Sequence, residues 1–348
     1  MKVLLSGTAG GSGWPEPGCR CASCSGLTAG RRPFELLVDG LVAFPFGEAP
    51  PGYRAWGGGL GLTGPDGGTL LCVPPGHEPP ARLPVRPDLV LIDLLDRPER
   101  LGRLRRACPS AQVVAVGLDH RVRSEEELAR RLRLWGAVAV PDGTELDTAV
   151  PDGTQLDTAV PDGTQPGVSA PGAERVRVRR ALLLGGSRSG KSGEAELRLA
   201  AEPHVTYVAT GPAGTGDGEW ADRVRAHRER RPEHWATVET TDLVTAVGGA
   251  TTPLLIDGLG TWLAAVFDEH GAWDGDRAPV QRRCDELVAA WRQAPGPVVA
   301  VSDEVGMGVV PATASGRAFR DALGRLNERL AAESEYVALV VAGRLLEL

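Results

Sequence analysis

Gly185-Gly-Ser-Arg-Ser-Gly-Lys-Ser192 follows directly on the apolar run Ala181-Leu-Leu-Leu184. The stretch satisfies G-x-x-x-x-G-K-S, behind a strand and ahead of a segment compatible with a helix, which is the setting a phosphate-binding loop requires. Gly185, Gly186 and Gly190 let the backbone turn so that several N–H groups converge on phosphate oxygens. The N-terminus of the following helix adds partial positive charge at the same point. Ser187, Arg188 and Ser189 fill the rest of the loop. Lys191 is placed to reach β- and γ-phosphates, and the Ser192 hydroxyl to bind Mg²⁺. The chain is expected to bind a nucleoside triphosphate.

Downstream of the loop, short apolar strands alternate with amphipathic stretches, the pattern of a parallel sheet with helices on both faces. Expected strands are Ala181–Leu184, Val205–Thr210, Pro253–Asp257, Val298–Ser302 and Val337–Val341. Val280, Cys284, Leu287, Val288 and Trp291 share one helical face, as do Phe319, Leu323, Leu326 and Leu330. Sites in such sheets lie at the C-terminal ends of the strands, so Thr210, Asp257 and Ser302 are expected beside the phosphate loop. Asp257 closes an apolar run as a Walker-B acid does and would hold Mg²⁺ directly or through water. A strand-terminal Asp that only caps the next turn is the alternative.

Composition bounds the rest. A chain of 348 residues has room for two domains, each with its own core. The formal net charge of −7 argues against a nucleic-acid footprint. No apolar run of about 18 residues exists and the first residues lack a signal-peptide core, so a cytoplasmic protein without a membrane anchor is expected. Ala-Val-Pro-Asp-Gly-Thr recurs at 139–144, 149–154 and 159–164. Pro-Asp-Gly is turn chemistry, and two duplications of a domain's last turn make a plain tether. The expected domains are 1–148 and 176–348, joined by a linker over 149–175.

A second unusual segment runs from Glu219 to Pro232. Trp220, Val224 and His227 fall on one helical face, with Arg223, Arg225, Arg228, Arg230 and Arg231 around the histidine. On spacing alone this is either a solvated basic face or a catalytic histidine among groups suited to an anionic transition state.

Taken together, the loop, Tyr207-Val-Ala-Thr210, Arg223–Trp235, Ser302-Asp-Glu-Val-Gly-Met-Gly-Val-Val-Pro311 and Phe319–Leu330 resemble the bifunctional adenosylcobinamide kinase/adenosylcobinamide-phosphate guanylyltransferases of cobalamin biosynthesis. The resemblance runs from Arg180 to the C-terminus. It implies a P-loop, RecA-like fold and two reactions. A nucleoside triphosphate (ATP or GTP) phosphorylates the hydroxyl of adenosylcobinamide, and GTP then transfers GMP to that phosphate through a guanylyl-histidine. His227 aligns with that histidine. The same alignment puts Thr210, Gly211, Arg228, Glu229, Arg230, Arg231, Glu239 and Asp257 at nucleotide-contacting positions, and it implies a homo-oligomer, a trimer in the family. The sequence Gly258-Leu-Gly-Thr-Trp262 departs from the family's usual cysteine and further threonine.

The N-terminal half opens Leu4-Leu-Ser-Gly-Thr-Ala-Gly-Gly-Ser-Gly-Trp-Pro-Glu-Pro-Gly-Cys-Arg-Cys-Ala-Ser-Cys24, which resembles metallo-β-lactamase-fold hydrolases of the phosphodiesterase type. It has two histidines, His77 and His120, and no His-x-His-x-Asp-His motif, so a truncated, hydrolytically dead αβ domain is expected. Cys19, Cys21 and Cys24 supply three thiolates toward a tetrahedral zinc site. The resemblance implies His120 as the fourth ligand of a structural Zn²⁺; a metal-free remnant is the alternative. Cys72, Cys108 and Cys284 lie in or beside apolar runs and read as buried thiols. Competing functional readings are a P-loop kinase of another metabolite, a RecA-like ATPase without a covalent intermediate, and an autonomous phosphodiesterase.

Overall fold

The computed structural model describes residues 1–148, 178–211, 225, 229 and 231–348. The chain divides into two compact units. The linker expected over 149–175 lies outside the described residues. Among the described residues, no helix is long and apolar enough to cross a membrane.

In the first unit β1 (Lys2–Gly7), β2 (Glu35–Val38), β3 (Val42–Ala43) and β9 (Thr144–Asp147) form an antiparallel sheet in the order β3-β2-β1-β9. A second sheet, β4-β5-β6-β7-β8, is built from Arg54–Trp56, Gly61–Thr63, Thr69–Val73, Leu89–Ile92 and Gln112–Ala115. Its β6-β7-β8 part is parallel. Val3, Leu5, Leu36 and Val38 of the first sheet share one buried cluster with Leu62, Leu70, Leu89, Leu91 and Val114 of the second. Alternate residues therefore close a core between two sheets, the sandwich solution for period-two patterning. Val90 and Ile92 point to the opposite face and are buried as well. The unit's helices are α1 (Ala22–Gly26), α2 (Glu99–Ala107) and α3 (Glu125–Leu134). Ser124 caps α3 by accepting the Glu127 N–H at 3.2 Å, and three glutamates occupy its first turn.

The second unit carries a seven-stranded sheet in the order β12-β11-β13-β14-β10-β15-β16. These are β10 (Arg180–Gly185), β11 (Thr206–Ala209), β12 (Ala236–Glu239), β13 (Leu254–Asp257), β14 (Val298–Asp303), β15 (Tyr336–Val341) and β16 (Arg344–Glu347). All neighbours are parallel except β15 and β16, which form a closing antiparallel hairpin. The expected strands reappear within a residue or two of their bounds. The edge strands β12 and β16 were not expected. Each is mostly exposed, so neither shows the continuous apolar run that marks a strand covered on both faces.

Among the described residues the helices are α4 (Lys191–Leu199), α5 (Leu243–Gly248), α6 (Leu259–Glu269), α7 (Ala278–Arg292) and α8 (Ala314–Ala332), and Arg225 and Glu229 are helical as well. On one face of the sheet Leu182, Val208, Ile256, Val298 and Ala300 pack with residues of α5 to α8. On the other, Leu183, Tyr207, Leu255, Val299 and Val301 pack with Ala195 and Leu199 of α4. Val280, Cys284, Leu287, Val288 and Trp291 of α7 are buried, as their spacing requires. In α8, Leu323, Leu326 and Leu330 are buried, while Phe319 is partly covered.

Trp262 of α6 is fully buried, and its indole N–H donates to the Thr241 carbonyl at 2.9 Å. Trp262→Ala would leave a cavity and an unpaired carbonyl, at a cost of about 3–5 kcal/mol. Urea unfolding followed by circular dichroism is expected to show this as an earlier transition; a midpoint equal to wild type would contradict the packing described.

Candidate active site

The phosphate loop leaves β10 at Gly185 and enters α4 at Lys191. Gly190 sits at φ +100°, a conformation that L side chains rarely adopt, and a Cβ there would lie 3.2 Å from the Gly343 backbone. The loop is braced from outside: Gly343 N–H donates to the Ser189 carbonyl at 2.7 Å and Glu304 N–H to the Gly185 carbonyl at 3.2 Å. Within it, Ser189 N–H reaches the Gly186 carbonyl at 3.3 Å. The Ser189 hydroxyl is buried and has no hydrogen-bond partner among the described residues. Gly186 and Ser187 are exposed, as is Arg188, which takes a left-handed φ of 56°.

Lys191 Nζ donates to the Gly186 carbonyl at 3.0 Å and pairs with Asp303 Oδ1 at 2.9 Å. The ammonium is thus stretched back over its own loop. Asp303 was not anticipated: β14 was expected to end at Ser302, with that hydroxyl beside the loop. The structure corrects this. Ser302 is fully buried and donates to Asn327 Oδ1 of α8 at 2.6 Å, while Asp303 is the residue in register with Gly185. The reason is strand alternation. Ser302 continues the face of Val298 and Ala300, under α8, whereas Asp303 continues that of Val299 and Val301, toward α4. Alternation alone does not say which face meets α4, because both are buried; the pairing of β14 with β10 decides it.

Asp257 ends β13 on the same α4-facing side. Its Oδ1 accepts the Ser192 hydroxyl at 3.1 Å, and its Oδ2 accepts the Tyr207 phenol. Burial first, and then the neighbouring Asp257 carboxylate, push the Tyr207 phenol well above its usual range, so it stays a donor. A serine hydroxyl and a carboxylate, joined at the mouth of a phosphate loop, are the hard oxygen donors that suit Mg²⁺.

Thr210 and Gly211 follow β11 at the same end of the sheet. Thr210 is buried, and its hydroxyl is engaged with the Gly258 carbonyl at 2.7 Å and the Thr261 hydroxyl at 2.6 Å. It therefore builds the turn after Asp257. Gly258 stands there at φ +105°, and a Cβ would fall 2.4 Å from Thr261 Oγ1. This is how the chain accommodates its Gly-Leu-Gly-Thr sequence. Glu239 ends β12 at the same edge and is exposed. Arg225 and Glu229 are exposed helical positions. His227, Arg228 and Arg230 lie outside the described residues. Arg231 is described: its guanidinium lies 3.3 Å from the centre of the Tyr207 ring, and Nη1 donates to Thr237 Oγ1 of β12 at 3.3 Å.

In the first unit, Cys19, Cys21, Cys24 and His120 each offer a ligand atom, all within 4.8 Å of one another. Cys24 Sγ is 3.5 Å from His120 Nδ1, and the Cys24 N–H donates to Cys21 Sγ at 3.4 Å. Glu16 Oε2 also stands 3.3 Å from His120 Nδ1. The Gly10 N–H bonds the Leu118 carbonyl at 2.9 Å, which brings the cysteine loop to the turn carrying His120. Burial pushes the Cys24 thiol up to about 11, while the Cys24 amide lowers that of Cys21. In a tetrahedral thiolate site, Zn–S bonds of about 2.3 Å put sulfurs about 3.8 Å apart, so small closing movements would complete the set. His77 is exposed, whereas Cys72, Cys108 and Cys284 are buried thiols, as their apolar settings suggested.

Residues 181–348 match the family described as cobinamide kinase / cobinamide phosphate guanyltransferase. The bifunctional adenosylcobalamin biosynthesis protein CobU of Salmonella typhimurium is 39% identical over 174 residues, covering 47% of this chain and 95% of the relative. CobU of Escherichia coli is 37% identical over 177 residues, with the same coverage. The corresponding CobP of Pseudomonas aeruginosa is 41% identical over 172 residues, covering 47% and 94%. Nearly the whole length of these relatives is therefore present here, in a chain about twice as long. The chain belongs, through residues 181–348, to the cobinamide kinase / cobinamide phosphate guanyltransferase family.

Proposed function

We propose that the second unit phosphorylates adenosylcobinamide and then guanylylates the product. The observation that carries this reading is the convergence of Lys191, Asp303, Ser192 and Asp257 at the phosphate loop, in a chain of this family. In the first reaction the substrate hydroxyl oxygen attacks the γ-phosphorus of ATP or GTP, the nucleoside diphosphate leaves, and the hydroxyl proton is lost. Lys191 neutralises charge on the transferring group, and loop N–H groups hold the β-phosphate. Ser192 and Asp257 would hold Mg²⁺, which would neutralise phosphate charge there.

In the second reaction a nitrogen of His227 attacks the α-phosphorus of GTP and pyrophosphate leaves. The phosphate oxygen of adenosylcobinamide phosphate then displaces the imidazole, giving adenosylcobinamide-GDP. Neutral imidazole is nucleophilic near neutral pH and a good leaving group from a phosphoramidate. Arg228, Arg230 and Arg231 neutralise the phosphates, and Glu229, Glu239, Thr210 and Gly211 border the nucleotide. We place the protein in the cytoplasm as a homo-oligomer, a trimer, with no nucleic-acid or membrane partner. The test is incubation with α-³²P-GTP and Mg²⁺: acid-labile, alkali-stable label on the protein is expected, and its absence sinks the transferase reading.

For the first unit we propose a truncated metallo-β-lactamase-like domain, residues 1–148, without hydrolytic activity and with one structural Zn²⁺ on Cys19, Cys21, Cys24 and His120. The support is the joint placement of those ligand atoms and the paucity of histidine elsewhere in the unit. Elemental analysis of purified protein is expected to find about one zinc per chain in wild type and far less in Cys24→Ser. Equal zinc in both proteins would remove the assignment.

A further inference from the structure

We infer that Tyr207 is a positioning residue that ties Arg231 to the Asp257 carboxylate: its hydroxyl orients Asp257, and its ring seats Arg231. The inference rests on the proposed reading for the roles of Ser192, Asp257 and Arg231.

Three observations carry it. First, the two carboxylate oxygens of Asp257 are each engaged by a different partner, Oδ1 by Ser192 at 3.1 Å and Oδ2 by Tyr207. A carboxylate gripped at both oxygens cannot turn about its Cβ–Cγ bond. Second, Tyr207 is 2% exposed, within the cluster that packs against α4, so its phenol has little freedom of its own. Phenylalanine would fill the same space. What tyrosine adds is one O–H, and that O–H is directed at Asp257. Third, the Arg231 guanidinium lies 3.3 Å from the centre of the Tyr207 ring while reaching Thr237, which stands opposite Tyr207 in the β11–β12 register. A guanidinium stacked on a buried ring is fixed in direction as well as position. Arg231 is one of the groups proposed to neutralise the phosphates, so its seat fixes where that charge stands.

The two functions of one side chain are separable. Tyr207→Phe removes the O–H and keeps the seat; Tyr207→Leu removes both. Mn²⁺ binding to protein saturated with a β,γ-imido analogue of GTP, read by electron paramagnetic resonance of free Mn²⁺, is expected to weaken about tenfold in both variants. With saturating Mg²⁺, labelling by α-³²P-GTP is expected to return to near the wild-type rate in Tyr207→Phe and to stay about tenfold slower in Tyr207→Leu. Should Tyr207→Leu fail to fold by circular dichroism, Arg231→Gln takes its place, with slower labelling and unchanged Mn²⁺ affinity expected.

Wild-type Mn²⁺ affinity in Tyr207→Phe overturns the orienting role. Wild-type labelling in Tyr207→Leu, or in Arg231→Gln, overturns the seat. If the wild-type protein takes no label while the Mn²⁺ results stand, the transferase reading fails and the metal-orienting role survives.

Discussion

Lys191→Ala is expected to slow phosphoryl transfer from γ-³²P-ATP or γ-³²P-GTP to adenosylcobinamide by about a thousandfold, or about 4 kcal/mol of transition-state stabilisation. The magnitude follows from where the ammonium sits. Its Nζ bridges the Gly186 carbonyl and the Asp303 carboxylate across the mouth of the loop, with the side chain only 13% exposed. A preorganised charge in a largely water-excluded setting stabilises developing negative charge far more than a solvated one does. Removing it also leaves Asp303 as an uncompensated negative charge facing phosphate, which adds repulsion to lost attraction. Lys191→Arg is expected to recover little, because a planar fork does not replace a compact point charge at this spot. Single-turnover measurements settle the matter: transfer by the alanine variant at more than about one-tenth of the wild-type rate would falsify the assignment of the loop.

His227→Ala is expected to abolish guanylylation of the protein, to below about one-thousandth of wild type, since removing a covalent nucleophile leaves only the surrounding binding groups. The phosphorylation step should persist within about threefold, because that reaction runs at the loop and needs no imidazole. This split separates the bifunctional reading from the simpler kinase and ATPase readings. Those predict no label on either protein. Loss of both activities together would point instead to a His227 needed for folding of the segment, which the melting temperature of the variant checks independently.

Local pattern made much of the second unit legible. The loop Gly185–Ser192, the five buried strands and the stripes of α7 and α8 all follow from short-range rules: a helix repeats every 3.6 residues, a buried strand reads as an apolar run, and glycine marks a turn. The edge strands β12 and β16 obey none of these, because a strand covered on one side or neither needs no apolar run, and they surfaced only as partners of β11 and β15. At the site, Ser302 was expected where Asp303 faces the lysine. The difference has a physical origin. A strand's end can be read from composition, but which of its last two side chains turns toward a neighbour depends on register with another strand.

The chain by itself determined that a phosphate loop exists, which strand and helix flank it, and that thiols cluster near residue 20; each is a matter of residues within a few positions of one another. Tertiary structure alone decided that Tyr207 grips Asp257 across 50 residues and that Asp303 answers Lys191, and it set His120, the ligand that the resemblance implied, beside Cys24 from 96 residues away. Such partners are chosen by strand order and by where a loop returns, and neither is encoded by the spacing of any single segment.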